Sequence, residues 1–242
     1  MVESNPYKNP PKGFKGFTNH LARILIIGLF TFEFSNWIGL LDYQLEFTWV
    51  GLALTTLAVY LIVASIEYYL LAKYGIYLHW ATWPMVAIML LFDFLGDFFY
   101  LYERWLPYDR IAHAFSGIFL VPLLYSFYNR VSWAKKWRYP LVVNLVLAIG
   151  SNVFLAVLYE IEEYSEDIIY HTSRLGNGFD TANDLLMNLV GALIVSTMIY
   201  YITKEPQAVL VESPVLASRE VVEKKSTNKK SKRKSGRVKS PT

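Results

Sequence analysis

Six apolar runs dominate the sequence, near residues 20–41, 47–72, 79–101, 110–128, 140–162 and 182–202. Each is close to the ~20 residues that cross a hydrocarbon core. None alternates with the period of a barrel strand, and each is too long to be one, so helices are expected. The expected fold class is therefore all-α, a polytopic integral membrane protein with six transmembrane helices in one bundle. Composition agrees: 54% of residues are hydrophobic, 17% aromatic and only 18% charged, a balance that soluble domains seldom reach. The order predicted is an N-terminal arm at 1–19, a transmembrane domain at 20–203 and a tail at 204–242. The arm (NPYKNPPKGFKGF) is polar and Pro/Gly-bearing, unlike a cleavable signal.

The charges set an orientation. Lys8, Lys12 and Lys15 lie in the arm, Lys73 follows the second run, and Arg130, Lys135, Lys136 and Arg138 follow the fourth. With six crossings these segments and the tail share one side. The other side carries Arg104, Arg110 and Arg174 amid Asp42, Glu46, Glu103, Glu166 and Asp167. Both termini are expected in the cytoplasm, with the protein in the cell membrane. Residues 204–242 hold 11 Lys/Arg against 4 Asp/Glu, and the last stretch, KKSTNKKSKRKSGRVKSPT, has no acidic or aromatic residue. Such a tail cannot bury a core and is expected to be disordered. Its partner is expected to be the anionic inner leaflet, at ~1 kcal/mol per basic residue near the surface. With no aromatics between the charges, no nucleic acid is expected.

Charges inside apolar runs cost ~2.5–3.5 kcal/mol each even on insertion scales, so they mark function. Asp93 and Asp97 end the third run; Asp109, Arg110 and His113 begin the fourth. Glu160, Glu162 and Glu163 end the fifth; Asp180, Asp184 and Asn188, then Gly191, begin the sixth. Four helices thus bring acids to the same, non-cytoplasmic end. Asp93/Asp97, Asp109/His113 and Asp180/Asp184/Asn188 are four apart and Glu160/Glu163 three apart, so each set shares a helical face. Gly191 permits a close backbone approach. Asp109 and Asp180 at helix starts also suit plain capping. Glu160, Glu163 and Asp97 sit at unfavourable negative helix ends and call for a cation. His171 reads as surface, and His20 and His79 lie at the other end. Glu67 reads as a snorkelling acid and Glu33 as a side member of the site. Trp80, Trp83 and Trp105 read as interfacial anchors.

Carboxylates plus imidazole, in a chain with no cysteine, suit a divalent metal such as Mg, Mn, Ca or Zn. No P-loop, GxSxG, HExxH, CxxC or GxGxxG motif is present. Two functions fit. The first is a membrane-embedded hydrolase or transferase acting on a lipid-linked phosphate. There Asp97, His113, Glu160 and Asp184 would surround the metal, Glu163 would act as base, and Asp109 and Arg110 would be catalytic, with Asp93, Asp180 and Asn188 around them. The second is a small transporter or channel in which the same acids carry a proton or cation. A structural bundle end tied by ion pairs is the third reading. A polar path past Asn188 would favour transport, and the apolar LIVSTMIYYI that follows argues against one.

Three blocks in order, YDRIAHAFSG, LYEIEEY and FDTANDLLMNLVGA, resemble the signature of the YjdF-like inner-membrane proteins of bacteria and archaea. More distantly they resemble the VanZ-like proteins, which share an Asp-x-x-x-His helix, an acidic pair and an Asp-x-x-x-Asp helix followed by Gly. The similarity covers residues 93–193. It carries over Asp109, Arg110, His113, Glu160, Glu163, Asp180, Asp184 and Gly191, and implies a multi-pass membrane protein without naming a reaction.

Overall fold

In the computed structural model, helices follow the apolar runs, with ends set by local chemistry. The structure describes residues 7–204 except 106, 138 and 177. Arg138 and all of the tail beyond Lys204 therefore lie outside the described residues. Seven helices and no strand are present among those described: α1 (Phe14–Trp37), α2 (Trp49–Tyr74), α3 (Thr82–Phe98), the single-turn α4 (Leu101–Arg104), α5 (Pro107–Lys135), α6 (Leu141–Tyr170) and α7 (Gly178–Thr203). The described residues to Tyr201 form one compact unit; of the second, Ile202–Thr242, only 202–204 are described, the first two ending α7.

Four helices, α2, α5, α6 and α7, are long and apolar enough to cross a membrane. α3 has only 17 residues, and α1 carries Arg23 and Glu33 in its length. α2 is well delimited: the Thr48 side chain accepts from the Gly51 N–H at its start, and Gly75 takes the left-handed conformation, φ 62°, at its end, the two terminators that such a helix favours. α5 tolerates Pro122 inside it, as bilayer helices do where neighbours satisfy the freed carbonyl.

α6 is built inside out. Its buried face reads Asn144, Leu145, Ala148, Asn152, Ala156, Glu160, Glu163, Glu166. The opposite face exposes Val146, Phe154, Ile161 and Ile168, each more than half accessible. Apolar outside and polar inside is the pattern that lipid, not water, selects. Aliphatic packing holds one half of the bundle, where Ala22, Ile26 and Leu29 of α1 meet Trp83, Val86, Ala87 and Leu90 of α3. In the other half, small residues let backbones touch. A Cβ on Gly191 would overlap the Ala114 carbonyl, and one on Gly117 would overlap the Asn188 carbonyl, so α5 and α7 cross with nothing between them.

Several boundaries differ from the sequence reading, each for a visible reason. α1 begins at Phe14, inside the predicted arm, and its first turn lies against the Pro11 carbonyl at Gly16. α5 runs on to Lys135, so Arg130 is helical and buried: its Nε donates to the Tyr77 carbonyl at 2.9 Å and its guanidinium lies 4.5 Å from the Tyr7 ring. α6 continues to Tyr170 and keeps Glu163, Glu166 and Asp167 on the helix. Trp83 is fully buried, not an interfacial anchor: it lies under the Arg23 guanidinium at 4.3 Å and donates to Glu67 at 3.2 Å. Glu67 does not snorkel free, being paired with Arg23 at 2.6 Å.

Candidate functional site

α1, α3 and α6 end, and α2, α5 and α7 begin, at one end of the bundle, and the acids gather there in two separate groups. The first forms around Arg174. α6 stops at Tyr170, His171 turns in the left-handed conformation, φ 58°, and the Asp167 carboxylate ties down the next turn. It accepts from the Thr172 hydroxyl, from Arg174 N–H at 2.8 Å and from Leu175 N–H at 3.1 Å. This local clamp sends the Arg174 side chain into the bundle, where it is 4% exposed. Its Nε donates to Glu163 at 3.1 Å; Glu166 lies at 3.5 Å, Asp93 at 3.6 Å and Asp97 at 4.0 Å. Nη2 also donates to the Tyr159 hydroxyl at 2.5 Å, and the guanidinium faces the Phe47 ring. Burial works against the charge on Arg174, but Tyr159, Asp93, Glu163 and Asp97 outweigh it and hold the proton above its ordinary range.

Three of these acids have further partners. Asp97 accepts from the Phe47 backbone N–H at 2.9 Å, and Asp93 accepts from the Tyr102 hydroxyl at 2.9 Å. Glu166 accepts from the Thr48 hydroxyl and sits against Gly51. It therefore lies at the start of α2, where the dipole favours an anion. A charge that looked misplaced at the end of α6 is offset by the beginning of another helix.

The second group lies between α5, α6 and α7. Asp109, His113 and Asp184 offer ligand atoms that all lie within 4.8 Å of one another. His113 and Asp184 are buried, Asp109 half-buried; His113 Nε2 is 3.5 Å from Asp109 Oδ1. Asp184 Oδ1 and both Glu160 oxygens are buried without a hydrogen-bond partner of good geometry. Glu160 has His113, Asp109, Thr181 and Asp180 as its electrostatic neighbours. Buried carboxylate oxygens without donors are expensive, and a cation is the usual remedy. Two carboxylates and an imidazole fit a divalent ion of the Mg, Mn, Ca or Zn kind, the carboxylates suiting Mg, Ca or Mn and the imidazole Zn.

The remaining predicted residues fall around these groups. Asp97 is not brought to the His113 cluster and belongs to Arg174; Glu163 pairs with Arg174 and is also an electrostatic neighbour of His113 and Glu160. Arg110 is exposed at the rim, and with the Asn183 amide turned to face it the Asn183 oxygen accepts at 2.7 and 3.1 Å. Asp180 packs against Gly176. Asn188 accepts from Asn152 at 2.5 Å one turn below Asp184. Glu33 is fully buried with Thr56, Asp93 and Asp97 as its neighbours. Sequence reasoning missed the depth of Arg174 and the inward-facing Asn144 and Asn152. The signals available were a lone loop arginine after an acid-rich helix end and two asparagines inside an apolar run.

Comparison with known proteins agrees with the membrane architecture. The family model described as predicted membrane protein (DUF2238) matches residues 22–205, well over half of the chain. The chain belongs to that family. This is the family that the YjdF-like blocks indicated. A relative in sequence terms is an uncharacterized protein of Thermotoga maritima, 29% identical over 107 residues, which are 44% of this chain and 54% of that protein. The chain thus spans about half the length of the relative it matches. No solved structure matches.

Proposed function

We propose that this DUF2238 protein binds a divalent cation at Asp109, His113 and Asp184, with Glu160 as a further ligand, and carries it across the membrane. The convergence of two carboxylates and one imidazole within 4.8 Å carries the reading. Transport is favoured over chemistry because buried polar groups recur past the Asn188–Asn152 pair: Asn144 and Ser196 are buried in the far part of α6 and α7. The test is metal binding to purified protein, by calorimetry with Mn and Zn and by elemental analysis after chelation, followed by Mn uptake into vesicles. Asp184→Asn should abolish both; a variant that binds and transports like the parent would overturn the assignment.

The second reading is a metal-dependent hydrolase or transferase acting on a lipid-linked phosphate. It is favoured by the half-buried Asp109 beside the exposed Arg110 guanidinium, which suits a phosphate. Glu163 is engaged by Arg174 at 3.1 Å, so Glu160 would be the available base. The reading of six crossings with cytoplasmic termini rests on Lys15, Lys73, Arg130 and Lys135 lying at the end away from the acids, which would make the metal site extracytoplasmic. The basic tail would then lie on anionic headgroups. The VanZ-like plan, with its Asp-x-x-x-His helix, is compatible with the same cluster.

A further inference from the structure

The interface of α6 and α7 has a regular register. Asn152 bonds Asn188, and Ala148 shares a buried cluster with Ala192 and Val121. Four residues along one helix match four back along the other, as antiparallel helices require. The same register sets Asn144 opposite Ser196. All of these residues are at least nine-tenths buried, and Val121, Ala148 and Ala192 are fully so. On the acidic side of that apolar layer, Asn152 Oδ1 has no hydrogen-bond partner; on the other side, neither Asn144 Oδ1 nor Ser196 Oγ has one. An orphaned buried polar atom costs ~1–3 kcal/mol. Three such atoms lie along one seam, and water is the usual partner of buried polar groups that a chain leaves unpaired.

We propose that Asn144 and Ser196 form a second, hydrated oxygen station for the same divalent cation, separated from the acidic site by one dry layer of Val121, Ala148 and Ala192. The proposal rests on the cation-transport reading and adds its route. Neutral oxygens suit a release station: they replace part of an ion's water shell without holding it as carboxylates do. A layer one or two side chains thick, made of Val and Ala, is a short barrier that a small shift of α6 against α7 can wet.

The chain lacks cysteine, so each engineered thiol is the single one present. Ser196→Cys, Asn144→Cys, Val121→Cys and the lipid-facing control Leu193→Cys, at a residue 48% exposed, are reconstituted in vesicles. They are treated with a membrane-impermeant cationic thiosulfonate, which needs a thiolate and therefore water. Ser196→Cys and Asn144→Cys should react at least about tenfold faster than the other two, since thiolates form only where water reaches. Modification of Ser196→Cys should also stop Mn uptake. Equal reactivity of all four overturns the hydrated station. Reactivity of Val121→Cys equal to Ser196→Cys overturns the dry layer. Unchanged Mn uptake after modification of Ser196→Cys overturns its place on the route. Calorimetry of Asp184→Asn reports separately: normal Mn binding there sinks the acidic site as an ion site, whatever the labelling shows.

Discussion

Two acidic groups share one end of this bundle, and they solve the same electrostatic problem differently. Around Arg174, four carboxylates receive a guanidinium, a helix N-terminus, a backbone N–H and tyrosine hydroxyls, all supplied by the chain. Around His113 the chain supplies one imidazole and the Thr181 side chain, and leaves Asp184 Oδ1 and the Glu160 oxygens without a hydrogen bond of good geometry. The chain gives the first group its counter-charge, although Asp97 Oδ2 is buried without a hydrogen bond. The second group is the one for which a cation is proposed. Tyr159 stands between them, its hydroxyl on Arg174 and its ring 6.2 Å from that of His113. An acid-rich helix end is therefore no guide to function until its counter-charges have been assigned.

The contrast can be broken most forcefully at Arg174. Arg174→Met strands four acids, and removing one partner of a buried ion pair costs ~3–5 kcal/mol. Thermal unfolding in detergent should show the largest loss of any single substitution at this end, and a variant as stable as the parent would make the first group no more self-sufficient than the second. Next comes the ligand pair: Asp184→Asn and His113→Gln should weaken Mn binding by more than the ~100-fold typical of outer-shell changes, while unfolding is little altered. Loss of fold rather than of binding would assign this cluster a structural role. Asp167→Ala removes three hydrogen bonds from the loop that presents Arg174, with an expected cost of ~1–3 kcal/mol. Amide exchange should rise at residues 172–175 before it rises in α6; uniform exchange would remove the clamp from the account. The smallest effect belongs to Arg110→Ala, an exposed contact worth under ~1 kcal/mol, which should leave both stability and Mn binding intact. A large loss of binding there would instead bring Arg110 into the site.

The sequence made the helices legible because apolar length is a one-dimensional signal, and the convergence of Asp93, Asp109, Glu160 and Asp184 on one end followed from topology alone. Partner assignment was not legible. Asp97 and Asp184 have the same type of neighbours in sequence, yet one faces Arg174 and the other His113, a difference set by helix rotation and by a turn after residue 170. The length of α6 was also hidden, since its end is made by Asp167 and His171 and not by the Gly or Pro that usually announces one. Arg23 and Glu67 show the same gap: Glu67 reads in sequence as a snorkelling acid, yet it pairs with Arg23 of the neighbouring helix. Trp83 belongs with them: expected as an interfacial anchor, it is buried under the Arg23 guanidinium.

The tether on Arg174 has a bearing on how the protein is made. Asp93 and Asp97 leave the ribosome some eighty residues ahead of the arginine that neutralises them, and Glu163 and Glu166 only slightly ahead. Until then the acids of α3 lack the guanidinium that they share in the folded bundle. Only when the hairpin of the last two helices arrives can the end of the bundle close, so assembly finishes from the C-terminal side.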